Sequence, residues 1–136
     1  MTWVPPLVLL ARYVIALAVA SHGLTYLVCP TQVGRVSEGW RGSSWLLGTT
    51  ITGKPLKTLT IVLWAIAGVG FIVTGTAIAF TPLLLGSWRP LAIGASSVAV
   101  LSFAAFWDGQ MALFASQGGI GMLISVVVFI NAIVLP

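Results

Sequence analysis

Long apolar runs, divided by short stretches that contain polar residues, glycine and proline, are the main pattern in this sequence. The runs occupy residues of about 7–28, 58–80, 90–107 and 111–135. An α-helix rises 1.5 Å per residue, so about 20 apolar residues cross the hydrocarbon core of a membrane. The first two runs reach that length. The third reaches it once Trp88 and Arg89 are included. The fourth contains the stretch 116–119, so its helix either begins near Gly119 or is interrupted there.

This pattern predicts an all-α fold, an integral membrane four-helix bundle that forms one domain over residues 1–136. The predicted spanning helices cover about 7–28, 58–80, 88–107 and 111–135. Four spans place both termini on the same side of the membrane. The connection at residues 108–110 is too short for a free loop, so the third and fourth helices are predicted to form an antiparallel hairpin.

One long connection, residues 29–57, joins the first two predicted helices and contains several glycines that interrupt any extended helix. Within it, residues 38–48 combine tryptophan and leucine with Glu38 and Arg41, which is typical of a short interfacial or re-entrant element. Tryptophans near the predicted helix ends are expected at the membrane interface, where aromatic belts form: Trp3, Trp40, Trp45, Trp88 and Trp107. Trp64 lies deeper in its run and is expected to pack between helices.

Small residues recur at three- and four-residue spacing within the apolar runs. Lipid tails are as apolar as leucine, so helices in a membrane associate through close packing at such positions. We expect helix contacts at four glycines: Gly23, Gly68, Gly75 and Gly121.

The composition supports the membrane interpretation, because 59% of the residues are apolar and 6% are charged. Soluble domains have about 45–50% apolar and about 25% charged residues. So few charges cannot cover the surface of a soluble enzyme, and so much apolar surface excludes a disordered chain. The single cysteine, Cys29, excludes an internal disulfide and a dithiol motif.

The net charge of +4 does not indicate a nucleic-acid partner, because the basic residues are scattered beside apolar runs. The distribution of the basic residues instead indicates the orientation of the chain in the membrane. Four basic residues lie on the long-loop side, against Arg12 and Arg89 on the other: Arg35, Arg41, Lys54 and Lys57. This distribution favours a cytoplasmic long loop with both termini outside.

Polar residues at the long-loop end form the candidate site. Both acidic residues and the only histidine are predicted to converge there with three further polar side chains: His22, Arg35, Glu38, Arg41, Asp108 and Gln110. A histidine between acids could relay protons or bind a quinone carbonyl. One histidine and one cysteine make a metal site within the chain an unfavourable interpretation. The ligands to consider are a quinone or a lipid, and Asp108 could instead cap the fourth helix.

At the opposite end, Arg12 lies about five residues inside the first run. Its guanidinium either reaches the nearby headgroups or has a partner within the protein. Asn131 is expected to bond another helix, with Arg12 or Arg89 as neighbours.

Missing motifs exclude several function classes. The sequence has no phosphate-binding glycine-rich loop, no nucleophile elbow and no paired histidines. No chain of ionisable residues crosses the predicted membrane region, so a primary pump or ATPase is excluded. We expect no catalytic activity from this chain alone.

The first run, LLARYVIALAVASHGLTYL, has an arginine near its start and the pair His22-Gly23 near its end. It resembles the DoxX-like family of small four-helix membrane proteins, whose first helix carries an arginine and a late histidine-glycine pair, often followed by lysine. Here Tyr26 stands near the position where a basic residue is common. The family includes subunits associated with quinone-linked thiosulfate oxidation and with membrane redox complexes. The resemblance implies such a setting, in a prokaryotic cell (inner) membrane, and carries over Arg12, His22 and Gly23.

Three functional hypotheses follow. The chain is an accessory or structural subunit of a larger, redox (quinone-linked) membrane complex, or a DoxX-like quinone-reactive oxidoreductase component that uses His22, Glu38 and Asp108. Alternatively, it is a small oligomeric transporter, because four helices seldom enclose a path alone. The first hypothesis, the accessory subunit, is favoured because the chain has few polar residues that could catalyse a reaction or line a path. The expected partners are the lipid bilayer and either larger subunits or further copies of the chain.

Overall fold

The computed structural model describes residues 5–28, 43–47, 50–80, 88–107, 109–115 and 117–134, without the side chain of Leu113. Within these ranges every regular element is helical: α1 Pro6–Val28, α2 Lys54–Ala79, α3 Trp88–Phe106 and α4 Gly119–Val134, with a 3₁₀ turn at Met111–Leu113. The predicted all-α class is confirmed for this part of the chain.

Three of the four helices, α1, α2 and α3, are long and apolar enough to cross a membrane, with mean hydropathies of 1.8, 2.2 and 1.5. α2 begins at Lys54, before the apolar run at 58, because Gly53 ends the preceding turn at φ 68° and Pro55 suits the first turn of a helix. α4 is apolar but has 16 residues, which is about 24 Å of helix.

α4 begins at Gly119, not near residue 111 where the apolar run begins. Gly118 adopts φ 95°, which breaks the helix, and the Gly119 amide donates to Phe114 O over 2.8 Å. The Phe114 ring occupies the space that a Cβ at position 119 would need. The connection from α3 is therefore longer than the predicted turn, and a helix directly after Asp108 is not formed.

α1 and α2 are antiparallel and approach at small residues. A Cβ added to Gly23 would lie 2.5 Å from Gly68 O, and one added to Gly75 would lie 2.5 Å from Ala16 O. The two contacts are seven residues apart on each helix, so they recur on one face after two turns. The backbones can approach this closely only because these positions carry no side chain.

Further small residues line the contacts of α3. A Cβ on Gly70 of α2 would lie 2.8 Å from Ala95 Cβ. Five small residues of α3 are buried: Ala92, Ala95, Ser96, Ala99 and Ser102. The fully buried Phe71 of α2 is the largest side chain in the core that they surround. Extensive packing joins α1 to α2, α2 to α3 and α3 to α4.

The outer faces are apolar, which is the opposite of a soluble protein. On α1, Leu7, Leu10 and Leu17 are 76%, 61% and 69% exposed. On α4, Val127, Ile133 and Val134 are also exposed. Side chains of this type are stable in contact with lipid or with another apolar protein surface.

The end of the long connection packs against the end of α3. Ser44 Oγ donates to Ala105 O, Trp45 N donates to Trp107 O over 2.9 Å, and Leu46 N and Leu47 N donate to Ser44 Oγ. The last carbonyls of a helix have no partner within it. Residues 44 and 45 therefore supply the donors that complete α3.

Candidate functional site

His22, the only histidine in the chain, is buried between α1, α2 and α4. Its Nε2 lies 3.0 Å from Ser125 Oγ on α4, and Tyr26 Oη lies 3.1 Å from the same oxygen. Ser125 Oγ also lies 3.0 Å from Gly121 O, one turn earlier in α4. These side chains, the His22–Tyr26–Ser125 cluster, connect α1 to α4.

One arrangement of protons satisfies the whole cluster. When the Ser125 hydroxyl donates to Gly121 O, its oxygen accepts from His22 Nε2–H and from Tyr26 O–H. The imidazole then carries its proton on Nε2. Since Nε2 is engaged with Ser125, only Nδ1 is left for chemistry with a ligand.

Aromatic rings fix the orientation of the imidazole. The His22 ring meets Tyr26 edge-on at 5.2 Å between centroids, and Phe71 of α2 at 4.8 Å. Tyr26 and Phe71 stack on each other at 5.9 Å. On the α4 side, a Cβ on Gly121 would lie 3.7 Å from His22 Cε1, so the ring lies against this glycine. The arrangement is rigid and suits a structural link between helices.

Four of the six residues predicted to form the polar site lie outside the described residues: Arg35, Glu38, Arg41 and Asp108. The other two, His22 and Gln110, lie in different environments. His22 is buried and bonds α4, whereas Gln110 is exposed in the segment after α3. Their predicted convergence therefore stays a prediction.

The expected interfacial tryptophans are also only partly described, since Trp3 and Trp40 lie outside the described residues. Trp45 is exposed on the end of α3 and Trp88 is half-buried at the start of that helix. Trp107 stacks on Phe103 at 6.0 Å. Trp64 packs against the buried pair Leu56 and Phe106, at the long-loop end of the helices.

The polar partner of His22, Ser125, is not among the residues that the sequence predicts for the site. Its spacing is a signal that could have identified it, because Ser125 follows Gly121 by one turn and shares that face of α4. Tyr26, one turn after His22, is a second such signal. An interhelical hydrogen bond depends on the relative register of α1 and α4, and a single sequence does not contain that register.

Arg12 forms a second polar contact, at the opposite end of the helices. Its Nε and Nη2 donate to Ile78 O and Ala79 O of α2, both over 2.6 Å. These are among the last carbonyls of α2, where a cation also interacts favourably with the helix dipole. The sequence left two possibilities for the Arg12 guanidinium, namely contact with lipid headgroups or a partner within the protein. The structure shows a partner within the protein, the backbone of α2.

A cavity of about 570 Å³ lies beside Arg12 and is lined by all four helices. Asn131 of α4 and Trp88 of α3 line it near Arg12, and Val19 and Val128 line its deeper part. The Asn131 amide donates to Val127 O in its own helix over 2.7 Å, so the expected bond to another helix is not the one formed. A smaller cavity, of about 260 Å³, lies between α3 and α4 beside the buried Ser96.

No group of three His, Cys, Asp or Glu residues that could bind a metal occurs among the described residues. Comparison with known proteins adds no relative: no protein-family model, curated protein or solved structure matches this chain.

Proposed function

We propose that the chain is a multi-pass integral membrane protein in which α4 joins the three longer helices as a fourth, short span of a bundle. The apolar outer faces of α1 and α4 support this proposal. So do the helix ends, because a carbonyl in hydrocarbon needs a partner within the protein. Arg12 provides that partner for α2, and residues 44 and 45 provide it for α3.

Within that membrane we propose a role as an accessory subunit of a larger, redox (quinone-linked) complex. The observation that carries this proposal is the engagement of His22 with Ser125 and its enclosure by Tyr26 and Phe71. The only histidine of the chain thus has a structural use, and it lines neither of the two cavities. A protein with so few reactive groups acts through the surfaces it presents.

The resemblance to the DoxX-like family is part of the same proposal. Each of its three motif positions joins α1 to another helix. Arg12 bonds the end of α2, Gly23 touches the backbone of α2, and His22 bonds α4. The contacts between helices therefore account for all three motif positions without a ligand shared with the family.

The subunit proposal predicts stoichiometric co-purification. The tagged protein, extracted from its native membrane in a mild detergent, should elute in size-exclusion chromatography with larger membrane proteins at a constant molar ratio. An unrelated membrane protein of similar size, with the same tag and expression level, serves as the control. Elution of the protein alone, as a stable monodisperse species, would contradict the proposal.

A quinone-reactive role is the second candidate, favoured by the aromatic rings that surround His22. It predicts that, in native membranes supplied with the reductant of the complex as electron donor, His22→Ala removes the reduction of a soluble quinone analogue while the protein remains folded and membrane-bound. Because Nδ1 is the nitrogen left for a ligand, His22→Gln, whose amide nitrogen lies near the position of Nε2, should not restore activity. Turnover that survives His22→Ala ends this candidate and leaves the subunit proposal untouched.

A further inference from the structure

We propose that the cavity beside Arg12 binds one anionic phospholipid, with the phosphate at Arg12 and Asn131 and an acyl chain in the deeper, apolar part. The proposal rests on the membrane location proposed above and is independent of any partner subunit. It assigns a ligand to the end of the helices opposite the long connection, where sequence analysis identified no site.

The shape of the cavity suits an amphiphile. Its lining extends along α1 from Val8 to Val19, roughly 16 Å of helix. Its volume of about 570 Å³ falls within the roughly 300–1,000 Å³ of small-molecule sites. The polar groups Arg12, Trp88 and Asn131 line one end, and aliphatic side chains line the remainder. Thr74, deeper in the lining, already donates to Gly70 O.

Charge identifies the head of the ligand as an anion. The Arg12 guanidinium has five N–H groups, of which two donate to carbonyls of α2. The carboxyl-terminal dipole of a helix offsets only about half of a unit charge. The described residues contain no carboxylate, and in the sequence Glu38 follows α1 and Asp108 follows α3. A phosphate balances the remaining charge and accepts from the remaining N–H groups.

A neutral quinone satisfies the geometry less well than a phospholipid. Its carbonyl oxygen could accept one hydrogen bond but would leave the positive charge unbalanced in an apolar wall. Asn131 adds a carbonyl oxygen and a second amide proton at the same end of the cavity. These groups suit the ester and hydroxyl groups beside a phosphate.

The contacts between the helices allow a lipid to enter from the bilayer. Close packing joins consecutive helices. The side chains of the His22–Tyr26–Ser125 cluster join α1 to α4 by hydrogen bonds. The cavity lies on the other side of that cluster from the long connection. An acyl chain can therefore pass between α1 and α4 without separating helices that pack tightly.

Lipid binding to the purified protein, measured by native mass spectrometry and by microscale thermophoresis in detergent, tests the proposal. Phosphatidylglycerol and phosphatidylcholine with identical acyl chains are compared, together with inorganic phosphate and a neutral quinone. A carboxyl-terminal tag extends the chain in every variant, so that Pro136 carries no free carboxylate. We expect one bound phosphatidylglycerol, held roughly tenfold more tightly than phosphatidylcholine.

Two pairs of variants locate the site. Arg12→Gln should remove the preference for the anionic lipid, whereas Lys54→Gln, with the same loss of charge at the opposite end of the helices, should keep it. Ala11→Phe fills the cavity and should reduce the binding of both lipids, whereas Ala18→Phe, on an exposed face of α1 that does not line the cavity, should not. Ala11→Phe keeps Arg12 and its bonds to α2, so it tests the site even where Arg12→Gln impairs folding.

Several outcomes would overturn the proposal. These are equal affinity for the two lipids, equal losses in the Arg12 and Lys54 variants, or unchanged binding in Ala11→Phe. Displacement of the lipid by inorganic phosphate or by the quinone at comparable concentration would assign the site to that ligand instead. A protein that stays in solution without detergent would contradict the membrane location, which is a separate failure.

Discussion

Replacing Gly23 or Gly75 with alanine is expected to destabilise the packing of α1 against α2 more than the same change at the other two glycines of these helices, Gly68 and Gly70. The added Cβ would lie 2.5 Å from a backbone oxygen of the facing helix in both cases. Backbone cannot rotate away as a side chain can, so α1 and α2 must separate. Overpacking costs about 1–3 kcal/mol in well-packed cores, and we expect the upper end of that range. The measurement is the midpoint of heat-induced loss of monodisperse protein in detergent.

Two other glycines provide matched comparisons for this prediction. Gly94 of α3 has open space where its Cβ would lie, so Gly94→Ala should be neutral or stabilising by up to about 1 kcal/mol, since alanine favours the helix. Gly68→Ala should be intermediate, because its added Cβ would lie 2.8 Å from Gly23 O and 2.9 Å from the movable Leu27 side chain. A Gly23→Ala protein as stable as Gly94→Ala would show that α1 and α2 do not pack as described.

Removing the Ser125 hydroxyl is expected to have the second-largest effect. Ser125→Ala leaves His22 Nε2 and Tyr26 Oη without the oxygen they share. Buried polar groups that lose a partner cost about 1–3 kcal/mol in soluble proteins, and interhelical hydrogen bonds in membranes average about 0.6 kcal/mol. With two groups affected, we expect about 1–2 kcal/mol. A double-mutant cycle with Tyr26→Phe measures the coupling between the two side chains.

Ser96 provides a control, because replacing it with alanine also removes a buried hydroxyl group but breaks no hydrogen bond among the described residues. It is fully buried on α3, and its Oγ has no hydrogen-bond partner in the part of the chain that the structure describes. Ser96→Ala should therefore be neutral or stabilising. Equal destabilisation by Ser96→Ala and Ser125→Ala would mean that the cluster contributes nothing beyond the packing of a small side chain.

The sequence predicts the helices well because a long apolar run is itself the physical requirement for a spanning helix. The pattern places α1 within one residue of its observed start at Pro6. It misses the start of α2 and leaves the start of α4 open between residue 111 and Gly119, since these starts depend on local backbone features. Pro55 allows α2 to begin among polar residues, and Gly118 delays α4 despite the apolar residues before it.

The polar contacts are less accessible to sequence analysis. Arg12 is recognisable as an unusual residue in an apolar run, but its partners are backbone oxygens, which every residue has. Ser125 belongs to a residue type that is common in helix contacts, so its bond to His22 has no sequence signature. The candidate site at the long-loop end was deduced from topology alone, and most of its residues lie outside the described ranges.

The contacts of Arg12 and of the small residues also determine which helices can associate while the chain is still being translated. Every contact that joins α1 to α2, from Gly23 and Gly68 to Arg12 and Ala79, lies within the first 79 residues. His22 and Ser125, by contrast, are 103 residues apart in the chain. A helical hairpin of α1 and α2 can therefore assemble while the ribosome is still translating the second half. The bond from His22 to α4 can form only after α4 has been synthesised, so a chain that stalls before α4 leaves this histidine without Ser125.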